Sequence, residues 1–247
     1  MDPTSIVLIV IGAAIVYFAA RFLGHGIKIA VKLLVLAILI IALLSFLVYK
    51  DVEDLKNGFK DNNNTFLLYE NDTIYTGVVL KPLSSLTLTL DSFSFFTREE
   101  MDKLGEEFQE QKYDDMMGSS HKIFFFTPEI LQKPFTLSMG ELKLNETEML
   151  AIIKSDEPFD LLARKMMIAS KVQLEQESGY SEIVIATIKE LYGDEEKLKG
   201  TLFAALIGNY FQEQKPGDLI KNIKSGALKI YPEGISFKII RFMPWLG

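Results

Sequence analysis

The sequence predicts an α+β domain anchored by an N-terminal transmembrane helical hairpin. Three observations carry that expectation: two long apolar runs near the N-terminus, alternating apolar segments through the next hundred residues, and helix periodicity with capping residues beyond Asn145. The expected boundaries are two membrane helices within residues 1–50 (about 5–23 and 29–49), a stalk and linker over 51–64, and a folded domain over 65–247.

The runs Ser5 to Leu23 and Ile29 to Val48 are each about long enough to cross a bilayer. No charged side chain occurs from Ser5 to Ala20 or from Leu33 to Tyr49, so neither run has a polar face to offer water. A cleaved signal peptide is the weaker reading, because Met1-Asp-Pro-Thr-Ser lacks a basic n-region and the apolar run exceeds an ordinary h-region. Pro3 suits a helix start, and Gly24 and Gly26 permit a reversal between the spans. One long kinked helix is the competing geometry. The hairpin is preferred because Arg21, Lys28 and Lys32 cluster at the turn, where their heads reach the headgroup layer. Small residues four apart, Ala20 with Gly24 and Gly26 with Ala30, favour close helix approach and self-association.

Three cations at the turn predict a cytoplasmic turn with the folded domain outside. Lys50, Lys56 and Lys60 after the second span oppose that count. The triplets Asn63-Asn64-Thr65, Asn71-Asp72-Thr73 and Asn145-Glu146-Thr147 match the acceptor pattern for N-linked glycans and tip the expectation toward an exported domain. The chain has no cysteine, so such a domain holds together without disulfides.

After the second span the helix is expected to continue through Lys50-Asp-Val-Glu-Asp-Leu-Lys and end near Asn57-Gly58, with Asp61-Asn-Asn-Asn as linker. Thr65 to Glu70 and Thr73 to Leu80 read as strands joined by a tight Asn71-Asp72 turn. Leu86, Leu88 and Leu90 alternate with Thr87, Thr89 and Asp91 as in a half-buried strand. Thr97-Arg-Glu-Glu is a capping box that starts a helix to about Gln111. Tyr113 to Ser120 reads as loop, Lys122 to Thr127 as a buried strand, and Phe135 to Asn145 as a hairpin. Helices follow at Glu146 to Lys154, Pro158 to Val172, Glu182 to Tyr192 and Glu195 to Gln212, the third begun by Ser181 and ended by Gly193.

In the last of these, Gly200, Ala204 and Gly208 share one face and predict close packing against a neighbour. The uncharged run around them is too short for a span and reads as a core helix. A short helix after Pro216-Gly217 and a strand pair, Ala227 to Tyr231 with Ile235 to Ile240, complete the expectation, with this final hairpin free to return to the early sheet. The runs at Phe93 to Phe96 and Phe124 to Phe126 read as core aromatics.

Charge constrains partners. Asp51 to Gln214 carries 16 Lys and Arg against 30 Asp and Glu, which disfavours nucleic acid. Lys215 to Gly247 reverses the balance, with 6 basic against 2 acidic residues. Its end, Ile235-Ser-Phe-Lys-Ile-Ile-Arg-Phe-Met-Pro-Trp-Leu-Gly, suits a strand packed on the core or, alternatively, a membrane-interface contact.

Chemistry is sparse. His25 and His121 are the only imidazoles, and without cysteine a zinc site would rest mainly on carboxylates. Ser119 and Ser120 precede His121, but sequence neighbours seldom have nucleophile and base geometry. The acidic doublets Glu99-Glu100, Glu106-Glu107, Asp114-Asp115 and Glu195-Glu196 read mainly as solvated surface. No EF-hand, phosphate loop or dinucleotide fingerprint is present. No catalytic, cofactor-binding or metal-binding residue is therefore assigned, and no cofactor is expected.

The function expected from this architecture is a membrane-anchored, non-enzymatic protein presenting an acidic α+β domain for protein interaction or self-assembly. Its partners would be the lipid bilayer and a protein partner or a second copy, with no nucleic acid. The alternative is a membrane-bound hydrolase or other enzyme whose site is gathered from residues distant in sequence. The expected location is integral to the membrane with the domain extracytoplasmic.

Overall fold

In a computed structural model of the chain the described residues are 34–36, 38–39, 50–51, 54, 58–83, 89–140, 142–170, 177–213, 216–234 and 237–238. The spans expected at about 5–23 and 29–49 lie almost wholly outside them, as does most of the tail from Ile235. Among the described residues no helix is long and apolar enough to cross a membrane. The chain divides into two compact units, Met1–Lys56 with Gly234–Phe242, and Asn57–Glu233 with Met243–Gly247. In the first, Phe237 and Lys238 are helical, where the sequence reading expects a strand, and the Lys238 amide donates to the Gly234 carbonyl at 3.1 Å. The second unit is an α+β domain with a mixed sheet and helices.

Its sheet grows from two strands too apolar to tolerate an exposed face. β1 (Asn64–Glu70) is buried at six of seven positions, and β4 (Lys122–Phe126) at all five. They pair in parallel, Phe66 opposite Phe124, which is the pairing found where both sheet faces are covered. β2 (Thr73–Leu80) returns antiparallel to β1 through a two-residue turn. Asn71 and Asp72 have φ of 48° and 63°, the left-handed conformation that this turn needs and these residues tolerate. β3 (Phe93–Phe95) pairs with β2, and β7 (Leu228–Tyr231) pairs antiparallel with β4, giving the order β3-β2-β1-β4-β7.

The last strand thus finds a partner in the early sheet, the return the sequence allows for it, while most of the expected partner strand Ile235 to Ile240 lies outside the described residues. An unpaired β4 edge carries a row of donors and acceptors that β7 satisfies. The expected strand at Leu86 to Asp91 falls partly outside the described residues; Leu90–Ser92 form a 3-10 turn ahead of β3.

One face of the sheet is covered by α1 (Arg98–Gln109) and α2 (Tyr113–Met117), the latter a short helix within the expected loop. Thr97 caps α1: its hydroxyl accepts from the Glu100 amide at 3.3 Å while the Glu100 carboxylate accepts from the Thr97 amide at 2.8 Å. Met101, Leu104 and Phe108 repeat at helical spacing and close on Leu67, Tyr69, Ile123 and Phe125. Gln111, at φ 58°, lies just beyond the helix end.

The second face is covered after α3 (Pro128–Leu131) and the hairpin β5 (Thr136–Met139) with β6 (Leu142–Asn145). The helices are α4 (Glu146–Lys154), α5 (Pro158–Ala169), α6 (Glu177–Tyr192), α7 (Glu195–Glu213) and α8 (Pro216–Ser225). α6 begins at Glu177, leaving Ser181 inside the helix rather than at its cap. Gly193, at φ 84°, follows its end as expected. Asp194 caps α7, its carboxylate accepting from the Lys197 amide at 2.8 Å.

α7 is buried round most of its circumference, with Leu198, Leu202, Phe203, Leu206, Ile207 and Tyr210 all within the core. It packs on β2, β3 and α4. Tyr210 meets the Phe126 ring edge-on at 5.4 Å, and Phe66 stacks on Phe124 at 4.9 Å.

The Asn57-Gly58 region differs from a helix end. Residues 58–61 are helical, and the Asn62 amide donates to the Gly58 carbonyl at 3.0 Å. A Cβ on Gly58 would fall 2.6 Å from His121 Cδ2, so the glycine serves close approach rather than a left-handed cap. The buried Asn64 side chain terminates the turn instead, donating to the Gly58 and Asn62 carbonyls, each at 3.1 Å.

The small-residue face of α7 divides in two. A Cβ on Gly200 would lie 2.7 Å from Phe95 Cδ1 and 3.4 Å from Val78 Cγ1, whereas one on Gly208 meets nothing within 4 Å. Close packing therefore holds at Gly200 and not at Gly208. Gly200→Val is expected to destabilise the domain by about 1–3 kcal/mol through overpacking. Gly208→Ala should stabilise it by up to about 1 kcal/mol through helix propensity. Thermal midpoints of the full chain check both; equal midpoints for Gly200→Val and the parent would refute the close contact.

Between α4 and α5, Lys165 Nζ lies 2.6 Å from Glu148 Oε1, and the other carboxylate oxygen accepts from the Asn145 amide at 3.0 Å. These contacts, Lys165 first, hold the Glu148 carboxyl below its ordinary value of 4.5. The stabilisation is present above that value and is lost as pH falls through the lowered one. Glu148→Gln should cost about 1 kcal/mol at neutral pH, allowing for partial solvent screening. In acid titrations followed by circular dichroism its stability should fall less steeply below pH 4.5 than the parent's, and parallel curves would exclude the coupling.

Candidate functional site

The residues with catalytic potential are spread over the second unit and are individually committed to structure. Ser120 is buried beside β4, its hydroxyl 2.7 Å from that of Thr65. The His121 amide donates to the Asn63 carbonyl at 2.8 Å, and its ring lies against Gly58. His25 lies outside the described residues. Glu100 closes the cap of α1, and Glu107 pairs with Lys103 at 3.5 Å. Asp114 accepts from the Tyr231 hydroxyl at 2.6 Å, which raises that phenol's pKa. Glu196 is half-buried in the first turn of α7; burial raises its carboxyl pKa, and Lys199 and Arg98 oppose the shift. Among the described residues no group of three or more His, Cys, Asp or Glu is placed to hold a metal.

The feature with the shape of a binding site is a cleft of about 370 Å³ on the helical face of the domain. Phe135, Leu137, Ser138 and Met139 form one wall. The last three are consecutive in β5, and successive strand side chains point to opposite faces. Contact with three consecutive residues means that the cavity meets the strand's backbone or both of its faces, as a cavity along its edge would. β5 has β6 as its one strand neighbour among the described residues.

α7 contributes Ala204, Ala205, Gly208 and Asn209 to the lining. The missing side chain at Gly208 opens this space, since a Cβ there has no neighbour within 4 Å. Leu90 and Phe93 lie at another part of the lining, and Tyr192 supplies a phenol whose pKa burial raises above 10.0. The Tyr192 hydroxyl donates to Met139 Sδ at 3.9 Å, a weak bond that a better acceptor would displace.

The lining is mainly apolar, with hydroxyl and carboxamide groups from Ser138, Asn209 and Gln212. That composition suits a ligand with an apolar body and hydrogen-bonding groups. Sequence reasoning found the Gly208 face but assigned it to packing. It had no means of bringing β5 alongside, because 69 residues separate Met139 from Gly208 in the chain.

Comparisons with known proteins return no match: no protein-family model, no curated protein and no solved structure matches the chain.

The Ser120–Thr65 contact makes a structural role for Ser120 testable. Ser120→Ala leaves the buried Thr65 hydroxyl without that partner and is expected to lower stability by about 1–2 kcal/mol. A denaturant midpoint unchanged from the parent would show the contact to be dispensable.

Proposed function

We propose that this chain is a membrane-anchored, non-enzymatic protein whose acidic α+β domain, on the outer side of the membrane, receives an extended, largely apolar segment of a protein partner. The observation that carries the reading is the cleft between the β5 edge and the Gly208 face of α7. A strand edge presents unpaired amides and carbonyls at regular spacing, which an extended segment satisfies by adding as a further strand. The small residues of α7 leave room for alternate side chains of such a segment. The excess of acidic over basic residues from Asp51 to Gln214 favours a segment with basic flanks.

The apolar spans of the N-terminal fifty residues supply the tether in this reading. Confinement to a membrane raises the effective concentration of a partner in the same membrane, so contacts of modest strength suffice.

A photoreactive amino acid in place of Asn209, in the full chain in its own membranes, tests the cleft directly. A cross-linked adduct heavier than the chain and different from its dimer is expected, and Gly208→Leu should abolish it while leaving the thermal midpoint within a few degrees. An adduct at twice the chain's mass would assign the cleft to a second copy. Irradiation without any adduct, or an adduct indifferent to Gly208→Leu, would overturn the reading.

A further inference from the structure

The three Asn-x-Thr triplets are alike in sequence and unlike in the fold. In the first, Asn64 and Thr65 are 1% and 2% exposed, and the threonine hydroxyl is engaged with Ser120. The Asn63 carbonyl is also taken by the His121 amide. In the third, Asn145 is the cap of α4: its side-chain oxygen accepts from the Glu148 amide at 2.8 Å, fixing the carboxamide against the helix end. In the second, Asn71, Asp72 and Thr73 are all exposed and occupy the tip of the β1–β2 turn.

We propose that Asn71 is a site of N-linked glycosylation, and that it is the acceptor the fold selects from the three. The inference rests on the exported orientation of the domain. The co-reactant is a lipid-linked oligosaccharide on a polyprenyl phosphate or diphosphate. The Asn71 carboxamide nitrogen forms a bond to the anomeric carbon of the first sugar as the bond from that carbon to the phosphate oxygen breaks. The lipid phosphate leaves with the electron pair, and the carboxamide gives up one proton to a base of the transferring enzyme. This requires a carboxamide that can turn freely and a threonine hydroxyl within reach of the same enzyme; the exposed turn offers both.

The position is also compatible with the rest of the domain. The turn joins the ends of β1 and β2, whereas the cleft is lined from β5, α7 and the residues about Leu90 and Tyr192. A glycan at Asn71 therefore leaves the cleft open and shields the tip of the hairpin.

The test uses the full-length chain extracted from the membranes of its own cells, digested after lysine and arginine and examined by glycopeptide mass spectrometry. No cut is expected between Lys81 and Pro82, so the peptide 61–98 carries both Asn63 and Asn71, and a variant in the second triplet tells them apart. Thr73→Val removes the second triplet without touching either left-handed turn residue and should abolish the added sugar mass. Thr147→Val removes the third and should leave the mass in place. An unmodified 61–98 peptide, or sugar that persists in Thr73→Val, overturns the proposal. Protease digestion of the domain in sealed, right-side-out cells, run in parallel, separates the causes. A digested but unglycosylated domain fails at Asn71 alone, and a protected domain fails at the orientation on which both readings rest.

Discussion

The parallel pairing of β1 with β4 is the constraint on which the rest of the domain depends. Both strands are buried on two faces, and each fully buried phenylalanine removed from water contributes about 1.5–3 kcal/mol. Phe66, Phe124 and Phe126 point to one face, Leu67, Ile123 and Phe125 to the other, so both faces demand a covering layer. A parallel pair also requires a crossover, and β2, β3, α1 and α2 form it, which places the first helical cover without further instruction. The second cover is α7, whose Phe203 and Tyr210 meet Phe126 edge-on. β7 then closes the exposed edge of β4. Each later element satisfies a surface that the central pair leaves open.

What was legible in the sequence was local. The capping box at Thr97 with Glu100 acts over three residues and forms as its spacing predicts, and the structure adds a second of the same spacing at Asn145 with Glu148. The Asn71-Asp72 turn and the Gly193 helix end are likewise decided by the conformations those residues tolerate. The readings that changed were decided at long range. Gly58 reads locally as a helix terminator, yet its small size is required by His121, 63 residues on, which lies against it. Asn64 looked like linker, yet its side chain closes the helical turn and its backbone opens β1. β7 returns to the early sheet by pairing with β4, a return that the sequence allows but whose partner strand it does not name. The expected membrane spans lie almost wholly outside the described residues.

The cleft shows why a pattern of residue types underdetermines a site. Gly200 and Gly208 lie on one face of α7, about 12 Å apart at 1.5 Å per residue. At the first position the sheet arrives and fills the space; at the second the β5–β6 hairpin passes at a distance and leaves it open. The sequence signal is identical, and the outcome depends on which element lies opposite. A helix buried round most of its length can thus be a structural spine at one end and a wall of a cleft at the other.

Size and tethering belong together in the proposed interaction. A cleft of about 370 Å³ accommodates a few side chains, far less than the area of a standard stable protein interface. Strand addition along the four residues of β5 adds only a short row of hydrogen bonds, each contributing about 0.5–1.5 kcal/mol net. In free solution such contacts would be brief, because association also costs translational and rotational freedom. Two molecules held in one membrane have lost much of that freedom before they meet, and a short linker brings the effective concentration to the order of millimolar. A shallow, partly apolar cleft on a tethered domain is therefore matched to a partner in the same membrane and poorly matched to a soluble one.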